Sequence, residues 1–178
     1  LAYAYMCGHP GKKLLFMGQE FGQWNEWSEK RALDWYLLED DSHKELKDFT
    51  KACLILNKKY RCLYETDYSP EGFRWINAND KDNSVFSFIR ISPDKKRHLL
   101  FVFNFTPVER PNHRIGVPVK GKYKLVLGDD MKNQKKTLTS VRGECDGYKE
   151  SLLIDLHRYG IAVYEFNGDV NAHKPTNI

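Results

Sequence analysis

Residues 11–21 read Gly-Lys-Lys-Leu-Leu-Phe-Met-Gly-Gln-Glu-Phe, an apolar run closed by a glycine and a carboxylate. Leu14–Met17 are all apolar without alternation, which is typical of a strand buried on both faces, as in a parallel sheet. Gly18 lets the backbone turn sharply, and Glu20 follows at the strand end, where α/β barrels carry active-site residues. We therefore predict a buried strand and a polar turn, against the alternative of a short core segment and an ordinary loop.

A long irregular stretch, Gln19–Trp35, follows the predicted strand and contains three of the four tryptophans. Loops of this length in compact proteins are often functional. Trp24, Trp27 and Trp35 either stack on a sugar ring or pin the loop to the core, and the sequence leaves both roles open.

Helical patterns lie on either side of this region. Leu1–Cys7 is helical material that Gly8 and Pro10 stop. A second helix is predicted to begin at Ser42, which forms a Ser-x-x-Glu capping box with Glu45. Its apolar residues recur at spacings of three and four and predict one buried face, made of Leu46, Phe49, Cys53, Leu56 and Tyr60.

After Cys62 the apolar period changes from helical to two, with turn clusters between the apolar runs. Regular short strands without helical signals predict an antiparallel β-sandwich over residues 63–166, with its core internal to that range. Residues 167–178 are polar and predicted to be a frayed tail. The predicted strands are Phe73–Asn77, Val85–Ile91, Leu99–Phe105, Arg114–Val117, Lys122–Leu127, Lys136–Ser140, Ser151–Leu156 and Ile161–Phe166.

The composition favours a soluble globular protein without a membrane span, because 29% of residues are charged and no apolar run approaches ~20 residues. The net charge of +4 comes largely from Lys95–Arg97 and Lys135–Lys136, which we interpret as solvated loop tips rather than a nucleic-acid surface. The four cysteines show neither metal-ligand nor redox-motif spacing, so we expect a reduced, cytoplasmic protein without a metal or another cofactor. The chain opens in mid-helix without an initiator methionine, and we expect a piece of a longer protein.

Several segments together resemble the C-terminal part of the bacterial-type 1,4-α-glucan (glycogen) branching enzymes, a group within the α-amylase family, glycoside hydrolase family 13. Each segment is weakly specific alone, but they occur in the family's order over most of residues 1–166. The segments are His9–Phe21, Glu26-Trp27, Leu33-Asp34-Trp35, Pro70–Ile76, Ser84-Val85 and Asn104–Val108.

The resemblance implies an α+β piece: residues 1–62 as the end of a (β/α)8 barrel, with its last strand and flanking helices, then the all-β domain. These enzymes are retaining and use an aspartate nucleophile and a glutamate acid/base. The family carries its catalytic carboxylates upstream of the matched region, so no catalytic residue is expected here, and Glu20 matches none of them. The implied partners are an α-1,4-glucan or glycogen and the N-terminal catalytic region of the same protein. The candidate substrate-binding residues are Gln19, Glu20, Trp24, Trp27 and Trp35.

Two other functions remain open at this stage. A stand-alone carbohydrate-binding module would present Trp75 as a flat stacking platform, and a structural domain would cap the barrel without binding sugar. If the barrel neighbours of Leu14–Met17 are missing, the segment to Tyr60 is expected either to associate with a second copy or to collapse onto the sandwich.

Overall fold

Two antiparallel sheets dominate the structure, a computed structural model that describes residues 1–171. The larger sheet has six strands in the order β1-β2-β3-β9-β5-β6, and the smaller has the order β4-β8-β7. This arrangement confirms the predicted antiparallel sandwich. The strands are β1 Phe73–Asp80, β2 Val85–Arg90, β3 His98–Asn104, β4 Arg110–Val117, β5 Lys122–Gly128, β6 Thr137–Thr139, β7 Val141–Cys145, β8 Tyr148–Leu156 and β9 Ile161–Phe166.

Strand β3 shows how the molecule is layered, because all seven of its residues are buried. Leu100 and Val102 belong to the core between the two sheets. Phe101 and Phe103 belong to a second core on the outer face of the larger sheet. Since successive side chains of a strand point to opposite faces, a fully buried strand requires a cover on both sides, and helices supply the second one.

Two helices form that cover, α1 over Ala2–Gly8 and α2 over Asp41–Lys59. Cys7 of α1 and Cys53 and Leu56 of α2 share the second core with the phenylalanines of β3. The two helices therefore pack onto the outer face of the larger sheet. Short 3-10 turns complete the connections, at Gln19–Phe21, Trp35–Glu39, Arg61–Leu63 and Pro70–Gly72.

A buried arginine fastens the end of α1 to the sheet. Arg90 is fully buried in β2, where its Nη1 donates to the Gly8 carbonyl over 2.7 Å and its Nη2 pairs with Asp67 Oδ1 at 2.8 Å. The second oxygen of Asp67 accepts the backbone N–H of Gly11 at 3.0 Å. The ion pair thus fixes both sides of the turn that follows α1.

The predicted strand over Leu14–Met17 is wrong for this chain. The segment has no regular secondary structure, and Leu14 and Met17 are 75% and 51% exposed. A strand forms when its N–H and C=O groups pair with a neighbour, and no strand within residues 1–171 lies beside this segment. The apolar pattern alone does not hold the backbone extended.

The capping box predicted at Ser42 is also wrong, and α2 begins one residue earlier. Asp40 is the N-cap residue, and its Oδ1 accepts the backbone N–H of Ser42 at 2.8 Å and the Ser42 hydroxyl at 2.5 Å. A carboxylate at this position also interacts favourably with the positive end of the helix dipole. The predicted apolar face is confirmed in part: Cys53 and Leu56 are buried, whereas Phe49 is only half-buried.

The end of the β-domain differs from the prediction in two places. Strand β7 was not predicted, and it pairs antiparallel with β8 at the edge of the smaller sheet. The first residues of the predicted frayed tail pack against the sandwich. Val170 is buried in the inter-sheet core, and its carbonyl accepts a hydrogen bond from Arg74 Nη1 at 2.7 Å. The remaining predicted tail residues, 172–178, lie outside the described residues.

Candidate functional site

One buried carboxylate organises the loop over residues 19–35. Asp34 is 6% exposed, and its two oxygens accept from Asn25 Nδ2 at 2.8 Å and from Arg31 Nη1 at 3.0 Å. Its backbone N–H donates to Gln23 Oε1 at 2.9 Å. Arg31 reaches further and donates to the Glu26 carbonyl at 2.6 Å. Because both oxygens of Asp34 hold the loop, this carboxylate is a positioning group rather than a free base.

Trp24 and Trp35 lie on either side of a contact between the loop and α2. His43 of α2 donates its Nδ1 proton to the Phe21 carbonyl over 2.7 Å. The Trp24 ring lies 5.2 Å from the His43 ring, and the Trp35 ring lies 5.1 Å from the Phe21 ring. Trp24 remains 75% exposed and Trp35 50% exposed. Each indole therefore has one aromatic contact and keeps about half or more of its surface exposed.

Trp27 lies apart from that contact. Its ring meets Phe16 edge to face at 5.2 Å and is 39% exposed. Phe16 is itself 45% exposed. The two rings form part of an exposed apolar patch, made of Leu14, Phe16, Met17 and Trp27, rather than a pocket.

Gln19 and Glu20 occupy the 3-10 turn that starts the loop. Gln19 Oε1 accepts the backbone N–H of Phe16 at 3.0 Å, and the Gln19 carbonyl accepts the hydroxyl of Tyr3 at 2.5 Å. Burial, followed by the nearby charge of Glu20, raises the pKa of Tyr3. The side chain of Gln19 thus stabilises the turn, and the three tryptophans are the exposed aromatic side chains of this loop.

Sequence reasoning missed Asp34 as a member of the site. No local pattern marks it, since its place between Leu33 and Trp35 does not distinguish it from any other polar loop residue. The hydrogen-bonding partners of Asp34 in the loop lie up to eleven residues away.

Trp75 does not form the flat platform that a stand-alone carbohydrate-binding module would need. It is half-buried on the outer face of β1, with its ring at about right angles to Phe73 and Phe88. It forms one wall of an apolar cleft of about 560 Å³ beside Tyr5 of α1. A ring packed edge to face on two neighbours offers little open face for a sugar to stack upon.

No helix within residues 1–171 is both long enough and apolar enough to cross a membrane. No set of three or more histidine, cysteine, aspartate or glutamate side chains in the same range is arranged to hold a metal ion. The four cysteines are free thiols.

The β-domain matches a known protein family. The family described as "Alpha amylase, C-terminal all-beta domain" matches residues 75–167, and the chain belongs to this family. A solved structure of an inactive MutB double mutant in complex with isomaltulose superposes with a TM-score of 0.55, covering 92% of this chain and 37% of that one. The identity is 11%, so this likeness shows the fold alone.

Curated relatives are similar over nearly the whole chain. The 1,4-alpha-glucan branching enzyme GlgB of Butyrivibrio fibrisolvens is 45% identical over 93% of this chain and 27% of its own length. The GlgB of Bacillus cereus strain AH187 is 37% identical over 92% of this chain and 26% of its own length. The GlgB of Aquifex aeolicus is 45% identical over 73% of this chain. The chain therefore spans about a quarter of the length of the first two.

Proposed function

We propose that this chain is the C-terminal portion of a 1,4-α-glucan branching enzyme. The whole protein cleaves an α-1,4 linkage of a glucan or glycogen chain and transfers the released segment to a 6-hydroxyl. The similarity to the Butyrivibrio enzyme, 45% over 93% of this chain, carries the proposal. No catalytic group and no cofactor is assigned to residues 1–178 in this proposal.

In the whole enzyme, residues 1–62 complete the last unit of a (β/α)8 barrel, and residues 63–166 form the domain beside it. The exposed apolar patch supports this arrangement, since an apolar surface of this kind marks a contact site. Upstream barrel strands would pair with the backbone of residues 12–16 and cover Leu14, which is 75% exposed here. Without them, the patch is expected to promote self-association of the chain.

The tryptophan loop is proposed to contact the glucan. Trp24 and Trp35 are exposed aromatic rings beside the proposed end of the last barrel strand. A transferase must also keep water from its glycosyl intermediate, and bulky aromatic rings at the site entrance serve that purpose. The free thiols support a cytoplasmic location for the protein.

A chimera tests the proposed function. The matched C-terminal part of the Butyrivibrio enzyme is replaced by this chain, and amylose is followed by the loss of iodine absorbance and by debranching of the product. The chimera is expected to branch amylose, whereas the Butyrivibrio enzyme truncated at the junction and this chain alone are expected to be inactive. Branching by this chain alone would contradict the assignment, and so would a folded but inactive chimera.

The same chimera tests the loop. Trp24→Ala and Trp35→Ala should weaken glucan binding, and Tyr68→Ala serves as control because Tyr68 is a 77% exposed aromatic outside the loop. Equal KM values for the tryptophan variants and the control would remove these rings from the site.

A further inference from the structure

Two of the four cysteines meet in the core between the helices and the larger sheet. Cys7 of α1 is 1% exposed, Cys53 of α2 is fully buried, and both belong to the second core. Their thiols are hydrogen-bonded to each other. The two residues lie in different helices and far apart in the sequence, so no spacing motif marks the pair.

The position of Cys7 is set by the sheet. The carbonyl of the next residue, Gly8, accepts from Arg90 Nη1 of β2 at 2.7 Å. A Cβ placed on Gly8 would lie 2.6 Å from the Phe101 ring of β3, so the absence of a side chain lets the end of α1 approach the sheet this closely. These contacts come from β2 and β3, and they hold Cys7 without help from residues that precede α1.

The position of Cys53 is set by the second half of α2. Leu56, nearly one turn further along the helix, is buried in the same core. Tyr60 at the C-cap donates its hydroxyl to Glu165 of β9, and the Arg97 guanidinium lies 4.9 Å from the centre of its ring. The two helices therefore hold the two thiols against each other from opposite sides.

The contact makes Cys7 the more reactive thiol of the pair. The hydrogen bond from Cys53 lowers the pKa of Cys7, because a donor beside the sulfur stabilises the thiolate. The thiolate is the form that attacks a disulfide. Burial instead raises the pKa of Cys62 to about 12 and that of Cys145 to about 11, so these two thiols are the poorer nucleophiles.

We propose that Cys7 and Cys53 are a redox-sensitive pair whose reversible disulfide locks α1 onto α2. The co-reactant is a low-molecular-weight disulfide, such as oxidised glutathione. The Cys7 thiolate attacks one sulfur of this reagent and releases one thiol, and deprotonated Cys53 then attacks Cys7 Sγ and releases the second thiol. The pair loses two protons and two electrons, and the small disulfide is reduced to two thiols. This inference holds whatever substrate the whole protein takes.

The reagent reaches the pair through α1. This helix has seven residues, and helices this short are marginal without their packing. Local opening of α1 therefore exposes Cys7 to a small molecule. The disulfide would close a segment that contains the tryptophan loop, so it would restrain both ends of the stretch that carries residues 19–35. Transient disulfides of this kind occur in reducing compartments as redox sensors.

Thiol mapping of the full chain tests the proposal. The native chain is equilibrated in glutathione buffers of increasing oxidised fraction, quenched with acid, alkylated and mapped by mass spectrometry without reduction. We expect two of the four thiols to disappear and one linked peptide to join Cys7 to Cys53, with Cys62 and Cys145 alkylated. Because the bond closes a loop of about 45 residues, the melting temperature should rise by about 10 °C and return on reduction with dithiothreitol.

Three variants sharpen the test. Cys7→Ala and Cys53→Ala should each abolish the rise in melting temperature that the oxidant causes. Cys62→Ala is the matched control, because Cys62 is fully buried in the same core, and it should keep the rise. Mapping of the parent chain needs no variant, so a substitution that prevents folding does not weaken the test.

Several results would overturn the inference. They are four free thiols in the native chain at every glutathione ratio, a mixed disulfide with glutathione as the final product, or a linked peptide that contains Cys62 or Cys145. A Cys7–Cys53 disulfide that leaves the melting temperature unchanged would also refute the proposed lock.

Discussion

Replacing Arg90 by methionine tests the contact that ties α1 to the sandwich. Methionine fills much of the same apolar space but donates no hydrogen bond. The substitution removes the partner that lies 2.8 Å from Asp67 and the donor that lies 2.7 Å from the Gly8 carbonyl. The side chain of Asp67 is 9% exposed, so its carboxylate would remain buried with the Gly11 N–H as its hydrogen-bond donor and the Lys13 ammonium as the nearby positive charge.

The magnitude follows from these contacts. Breaking a buried ion pair by removing one member costs about 3–5 kcal/mol, because the other charge stays uncompensated. The orphaned Gly8 carbonyl adds roughly 1 kcal/mol. Arg90→Met should therefore lower the free energy of unfolding by about 4–6 kcal/mol. Adding Asp67→Asn removes the stranded charge and keeps an acceptor for Gly11, so the double variant should recover about 2 kcal/mol or more.

Urea denaturation followed by tryptophan fluorescence measures all four proteins of this cycle. The expected result is a coupling energy of about 2 kcal/mol or more between the two positions. Additive losses, or an Arg90→Met protein within ~1 kcal/mol of the parent, would show that the ion pair does not hold the helix to the sheet.

Three further changes follow from the structure. Asp34→Ala should release the tryptophan loop, with faster limited proteolysis within residues 19–35 and altered tryptophan emission, whereas unchanged cleavage would refute its organising role. Asp40→Ala should lower the free energy of unfolding, measured in urea, by about 1 kcal/mol, and Ser42→Ala by clearly less. A larger loss from Ser42→Ala would instead identify Ser42 as the N-cap residue. Burial holds the pKa of His98 below its usual value, so the unfolded chain binds its proton more readily and the stability from neutral His98 is lost as pH falls below about 6.5. Asp129 raises the pKa of His157, so His157 changes the stability with pH in the opposite sense. The measurement is therefore the difference in urea midpoint between the parent and His98→Gln from about pH 7.5 to 5. A difference that stays constant over this range would contradict the assignment.

The sandwich could be predicted from the sequence because its strands carry their own signal. β2 and β3 fall within one residue of the predicted ends, since apolar runs bounded by turn residues define them. β7 could not be predicted in the same way. It contains Arg142, Gly143 and Glu144, and it is a strand because its backbone pairs with β8 at a sheet edge.

The candidate site was predictable in its residues but not in its organisation. The tryptophan content of the loop pointed to Trp24, Trp27 and Trp35, and the sequence left stacking and pinning as alternatives. Each ring in fact has one close aromatic contact and at least 39% exposure, so the structure leaves both roles open. The anchoring by Asp34 depends on distances that no local pattern encodes.

The packing of the larger sheet bears on the expectation that the core of the β-domain is internal to residues 63–166. The prediction assumed that the β-domain core is internal to residues 63–166, but the second core combines Cys7 and Cys53 with Phe88, Phe101 and Phe103 of the sheet. These three phenylalanines are fully buried only because α1 and α2 cover them. A chain starting at Leu63 would expose all three to water, at roughly 1.5–3 kcal/mol each. The helices therefore belong to the sandwich energetically. The same packing holds α2 in place beside the tryptophan loop, where His43 contacts Trp24.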